Sequence, residues 1–158
     1  MLLRAQRAER AQRKIYTDSP GGISNESDID VEAMAAYLAR QPDIVAAYLF
    51  GSVARGQADR LSDVDVAVLA ERHPWDDPDW EFGLEADLCR AFRDREADLT
   101  VLNGASAMLR FEVARTGISI IEAAPGAFTR FRSYAARAWY DEELRRRRQA
   151  DYLARRRG

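Results

Sequence analysis

Residues 48 to 69 constrain this chain more than any other stretch. An apolar run over 44–50 ends abruptly at Gly51-Ser52, a short segment closes at Gly56, and a second apolar run opens with Ser62-Asp63-Val64-Asp65. The second run alternates. Val64, Val66 and Val68 fall on one face of a predicted strand, with Asp63, Asp65 and Ala67 on the other. At about 3.3 Å per residue, the two aspartates lie roughly 6 to 7 Å apart at Cα. Their carboxylates can then converge on divalent ions held about 3.5–4 Å apart, the arrangement used in two-metal phosphoryl transfer. The donors are oxygens with no His or Cys among them, which selects a hard ion, Mg²⁺ or Mn²⁺, over zinc. The Gly-Ser turn suits the same chemistry, because glycine admits close backbone approach and N–H groups at a helix start favour phosphate.

An Asp-x-Asp pair on a strand is often only a solvated face, and Gly-Ser is a common turn. What lifts both above that background is their order, with a short spacer between two apolar strands. At these residues the chain resembles the nucleotidyltransferase signature of the DNA polymerase beta-like superfamily. Gly51-Ser52 with Arg55-Gly56, followed by Ser62-Asp63-x-Asp65, carries the resemblance. It is nearest to the minimal nucleotidyltransferases (MNT), the antitoxins that accompany HEPN toxins, and runs from about Val31 to the C-terminus. The stretch 109–117, Leu-Arg-Phe-Glu-Val-Ala-Arg-Thr-Gly, is also similar to the matching MNT helix.

The resemblance implies an α/β (α+β) fold: a small mixed β-sheet flanked by helices, with a long C-terminal helix. It implies Asp63, Asp65 and Asp98 as catalytic and metal-binding residues, Asp98 standing on a neighbouring strand as the third carboxylate. Gly51, Ser52, Arg55 and Ser62 would bind the nucleotide, though a structural salt bridge accounts for Arg55 equally well. ATP would be the substrate, with two Mg²⁺ ions as cofactor. The partner would be a cognate HEPN toxin, AMPylated on a tyrosine. Transfer to a small molecule of the aminoglycoside type, and masking of the toxin by binding alone, are the alternatives. The chain has little room for the added substrate domain that the first usually carries, and the second has no need of three carboxylates.

Length fits one domain of 158 residues, and no apolar run approaches the roughly 20 needed to span a bilayer. Cys89 is the only cysteine, so no internal disulfide forms, and cytoplasmic residence without a membrane partner is expected. The net charge of −2 hides an asymmetry between an acidic middle, with Asp76, Asp77, Asp79, Glu81, Glu85 and Asp87, and an Arg-rich C-terminus. No zinc-finger spacing or RNA-recognition motif accompanies the basic end, so no direct nucleic-acid partner is expected, while homo- or hetero-oligomers are left open.

Three segments are predicted. Residues 1–26 read as a basic extension and flexible linker, 27–126 as the nucleotidyltransferase core, and 127–158 as an aromatic, Arg-rich helix. The extension would form at most a weak basic helix over 1–16, dispensable for the fold. Within the core, a helix capped at Ser27 would carry Ile29, Ala33, Ala36, Tyr37 and Leu38. Strands follow at 44–50 and 63–70, then a loop with His73, Trp75 and Trp80. A helix over 80–94 would point Phe82, Leu84, Leu88, Ala91 and Phe92 inward. A strand at 97–102 holds Asp98, with Asp94 and Glu96 as weaker candidates for the third carboxylate. Ser106 caps the next helix, Gly117 closes it at the C′ position, and a strand spans 118–121. The last helix carries Phe128, Phe131, Tyr134, Ala135, Ala138 and Trp139, more aromatic surface than docking on a small sheet requires.

Overall fold

The computed structural model describes residues 14–15, 31–57, 62–71, 77–91 and 96–156. The expected helix cap at Ser27, the loop residues His73 and Trp75, and Phe92 and Asp94 lie outside them. The elements are β1 (Lys14–Ile15), α1 (Val31–Ala39), β2 (Ile44–Leu49), α2 (Gly51–Ala54), β3 (Val64–Ala70), α3 (Pro78–Ala91), β4 (Ala97–Val101), α4 (Ala107–Thr116), β5 (Ile118–Glu122) and α5 (Ala127–Arg156). Their sheet runs β1-β5-β2-β3-β4. Among the described strands only β3 and β4 pair in parallel, and α3 supplies the crossover that a parallel pair needs. The other pairs are antiparallel, so the sheet is mixed, as expected.

Alternation along the strands builds two apolar layers. Ala47, Leu49, Val64, Val66, Val68, Leu99 and Ile121 pack beneath Met34, Ala35 and Leu38 of α1 and Leu84 and Leu88 of α3. On the opposite face Ala46, Tyr48, Ala67 and Leu102 meet Val113 of α4 and Phe128, Phe131 and Ala135 of α5. Each large apolar side chain fully buried in these layers contributes about 1.5–3 kcal/mol, which ties α1, α3, α4 and α5 to the sheet.

Four expectations change on contact with this packing. In α1 the inward stripe is Met34, Ala35 and Leu38, whereas Ala33 and Ala36 are exposed. Met34 and Leu38 stand one turn apart on the face turned to the sheet. In α3, Leu84 and Leu88 form the equivalent pair, and Phe82, two residues before Leu84 and so on the far side of the helix, is 76% exposed. Gly117 is not left-handed. Its φ is −67° and ψ 140°, and its N–H donates to the Val113 carbonyl at 2.8 Å. A Cβ there would sit 2.5 Å from that oxygen and 3.4 Å from the Leu49 carbonyl, so glycine is required by crowding and not by backbone conformation. Finally, Lys14–Ile15 is a strand and not part of a helix, pairing with Glu122 and Ile121 on the outer edge of β5.

Local chemistry sets the remaining boundaries. Ser106 caps α4 as expected, its hydroxyl accepting the Leu109 N–H at 3.2 Å. Asn103 reaches back to β3, its amide bonding both the N–H and the carbonyl of Ala70 at 2.9 Å. Arg110 binds the Leu102 and Asn103 carbonyls, each at 2.8 Å, and so fixes the turn from β4 into α4.

Candidate active site

The site forms where β2 ends and β3 and β4 begin. The Phe50 N–H donates to the Asp65 carbonyl at 3.0 Å, so the chain leaves β2 hydrogen-bonded to the residue that carries the central carboxylate. Gly51 then turns with φ +67°, a left-handed conformation that costs other L-residues about 1–2 kcal/mol. Space demands glycine as well. A Cβ on Gly51 would overlap the Asp65 carboxylate and lie 2.6 Å from its Cγ. The close approach expected of this glycine is therefore made by a side chain of the protein itself.

Asp63 is exposed one residue ahead of β3, and Asp65 is half-buried within it. Asp98 stands opposite Asp65 in the parallel register, on an adjacent strand about 4.8 Å away. Asp98 is exposed and so accessible to an incoming group. Both residues share the parity of Ala67 and lie on the α4–α5 face of the sheet, while Val64, Val66 and Leu99 anchor the other face.

Burial pushes the Asp65 carboxyl above its ordinary range, and the negative charges of Asp98 and then Asp63 push it further. Arg55 and a hydrogen bond from the Ser52 backbone N–H pull the other way without cancelling the rise. The sequence-predicted residues Gly51, Ser52, Arg55, Asp63, Asp65 and Asp98 are thus in one electrostatic neighbourhood. Arg55 also donates from Nε to Gln57 Oε1 at 3.3 Å. Ser62 is half-buried one residue before Asp63. Glu96 is exposed, and its backbone carbonyl accepts the Val64 N–H at 2.9 Å, a structural role.

A cluster of repelling carboxylates fits a hard cation. Among the described residues, however, no three Asp, Glu, His or Cys side chains gather closely enough to enclose an ion by themselves. Mg²⁺ does not need such a cage. It is ordinarily held by one or two carboxylates, with the remaining positions filled by substrate phosphate and water. Asp65 with Asp63 or Asp98 fits that smaller share.

The sequence did not reveal the packing of Gly51 against Asp65, although a Gly directly after an apolar run and before a short helix was the available signal. Nor did it reveal the clamp formed by Asn103 and Arg110, which has no sequence signature. Cys89 is half-buried, its thiol directed at the Ala97 carbonyl at 3.4 Å, consistent with an inert packing residue.

Comparison with known proteins agrees with this geometry. The family model described as polymerase beta, nucleotidyltransferase matches residues 32–125. No curated protein matches. Among solved structures, a toxin–antitoxin complex with AMP-PNP aligns at TM-score 0.67 and 26% identity, covering 80% of this chain and 99% of that one. A mutant form of the toxin–antitoxin MntA–HpeT aligns at TM-score 0.64 and 26% identity, over 78% of this chain and 97% of that one. A tri-AMPylated Shewanella oneidensis HEPN toxin in complex with its MNT antitoxin aligns at TM-score 0.61 and 25% identity, over 78% of this chain and 96% of the other. The chain belongs to the polymerase beta nucleotidyltransferase family and, within it, resembles the MNT antitoxins of HEPN toxin–antitoxin complexes.

Proposed function

We propose that this chain is an antitoxin enzyme that transfers AMP from ATP to a tyrosine hydroxyl of a cognate HEPN RNase toxin in the cytoplasm. The observation that carries the reading is the register pairing of Asp65 with Asp98, beside a turn that brings the Ser52 N–H to the same carboxylate. The AMP-PNP and the AMPylated toxin in the similar complexes support it.

In this mechanism Gly51 and Ser52 receive the triphosphate, with Ser62 beside them. Arg55 balances part of its charge. Asp63 and Asp65 would hold Mg²⁺, two ions being the expected complement. Bound there, Mg²⁺ would supply neutralisation of the charge that develops on the α-phosphoryl group and the departing pyrophosphate. Asp98, exposed at the start of β4, accepts the proton of the acceptor hydroxyl. The hydroxyl oxygen forms a new bond to the α-phosphorus as the bond from that phosphorus to the bridging oxygen breaks, and pyrophosphate leaves. Bulky, anionic AMP on the toxin then obstructs its RNA substrate by volume and by charge.

The test is intact-mass spectrometry of the toxin after incubation with this chain, ATP and Mg²⁺. One or more increments of AMP mass are expected, absent with Asp98→Asn and absent in chelator. An unmodified but neutralised toxin would replace this reading with masking by binding. Transfer to an aminoglycoside instead would replace it with small-molecule modification.

A further inference from the structure

The apolar residues of α5 divide into two sets that a sequence stripe cannot separate. Phe128, Phe131 and Ala135 are buried against the sheet, with the Phe128 and Phe131 rings 5.1 and 5.3 Å from that of Tyr48. Trp139 stacks on Phe111 of α4 at 5.6 Å. Beyond that contact the helix continues for a further 17 residues to Arg156, none of them buried. At 1.5 Å per residue this arm is about 25 Å long.

The arm is not featureless. Tyr140, Leu144, Arg148, Tyr152 and Arg156 stand at successive intervals of four, a row of the kind that seats in the groove of another helix. Tyr140 is 65% exposed, Leu144 47% and Tyr152 57%. Arg156 lies over the Tyr152 ring, 5.4 Å from its centroid, holding the tyrosine in place on the helix. Across residues 140–156 six arginines outnumber Asp141, Glu142, Glu143 and Asp151, and from Leu144 onward Asp151 is the one acidic residue among them. Arg146 and Arg147 turn back to Glu143 at 3.1 and 2.9 Å, off the row. Tyrosine, leucine and arginine at this spacing form a set of anchors of the type that dominates protein–protein binding energy.

We propose that residues 140–156 are the arm by which this chain grips its toxin partner, on a toxin surface that offers an apolar groove rimmed by acidic side chains. The proposal rests on the toxin-directed reading above. The toxin is the occupant because the similar chains are found in complexes with toxins, and because the excess positive charge of the arm calls for an acidic counterpart. Docking is then built on a different part of the molecule from transfer. The arm leaves the core beyond Trp139 and Tyr140, the latter still meeting Phe111 of α4 edge-on at 6.2 Å, whereas the carboxylates sit at the opening of β3 and β4.

The experiment is titration calorimetry of the purified toxin encoded beside this chain, against wild type, Leu144→Ser/Arg148→Glu, Tyr152→Ser and Asp98→Asn. Toxin mass and the molar mass of each variant alone are followed in parallel. Both arm variants are expected to keep the wild-type thermal midpoint and to weaken toxin binding about tenfold or more, while Asp98→Asn binds like wild type. Tyr152→Ser, farthest from the core, serves if the double variant folds poorly. Unchanged affinity in the arm variants overturns the proposal. So does loss of a wild-type homodimer in those variants with toxin binding intact, which would assign the arm to a second copy, whose α3 exposes Phe82 beside Asp79. Arm-dependent binding without AMP on the toxin would reject the proposed reaction and keep the arm. AMP transfer with arm-independent binding would do the reverse.

Discussion

Replacing Gly51 with alanine tests the central geometric claim, that the turn after β2 is fitted to the Asp65 carboxylate. Two costs are expected. The left-handed backbone, φ +67°, costs alanine about 1–2 kcal/mol. The new methyl also overlaps the carboxylate and would stand 2.6 Å from its Cγ, so Asp65 must leave its rotamer at about 0.5–1.5 kcal/mol. Together these give about 1.5–3.5 kcal/mol. For a domain of this size, that is a fall in thermal midpoint of about 3–14 °C. Nucleotide transfer should fall with it, because the displaced carboxylate no longer faces Asp98. A double-mutant cycle with Asp65→Ala separates the two costs. Asp65→Ala removes the overlapping carboxylate, so Gly51→Ala should cost less in that background, leaving the backbone part and a 3.2 Å contact with the remaining Cβ of residue 65. Differential scanning fluorimetry on the four proteins, in chelator, gives the cycle. Additive losses would refute the contact, and a wild-type midpoint in Gly51→Ala would refute both the contact and the turn.

Three further outcomes are expected. Among the described residues the buried Tyr48 hydroxyl has no hydrogen-bond partner, so Tyr48→Phe should stabilise the protein by about 1–3 kcal/mol, and a lower midpoint would reveal a partner for that oxygen. Asp65→Asn should raise the midpoint of the metal-free protein at neutral pH. The folded state raises the Asp65 pKa, so this group stabilises the fold below its unfolded pKa, and that contribution is lost as pH rises through the folded value. The gap between Asn and Asp should therefore close in acid, and a gap that is constant with pH would remove charge as its cause. Deleting residues 1–24 removes β1 from the β5 edge and should lower the midpoint by a few degrees; an unchanged midpoint would show that the pairing adds nothing.

How far the sequence could be read depended on the range over which each signal acts. Asp63, Asp65 and Gly51-Ser52 lie within 15 residues, and strand alternation is enough to set them on neighbouring elements. Asp98 is 33 residues beyond Asp65, across α3, and spacing carries no information about a parallel register. Family resemblance pointed to it, and the pairing of β3 with β4 brings it opposite Asp65. The misjudged side chains follow the same logic. Phe82 is hydrophobic but stands on the wrong side of a helix whose inward pair is Leu84 and Leu88. Gly117 matched a helix-ending signal, yet what excludes a side chain there is the Val113 carbonyl, 2.5 Å from where a Cβ would stand, a closeness set by how the chain turns into β5 and not by a left-handed backbone. A two-residue strand such as β1 is too short to show any periodicity.

The arrangement of the site also bears on how a chain this small tolerates it. Asp98 and Asp63 both repel the half-buried Asp65 carboxylate, and Arg55 and the Ser52 N–H offset only part of that repulsion. The residues that resist it are their immediate neighbours. Val64 and Val66 flank Asp65, and Ala97 and Leu99 flank Asp98, all four buried on the opposite face beneath α1 and α3. Alternation thus makes each carboxylate inseparable from two anchoring side chains, and turning the aspartates away would pull those anchors out of the core. The repulsion therefore cannot relax by rotation of the strands. In the proposed mechanism an oxygen-seeking cation and a triphosphate would relieve it, and their binding would be favoured to that extent.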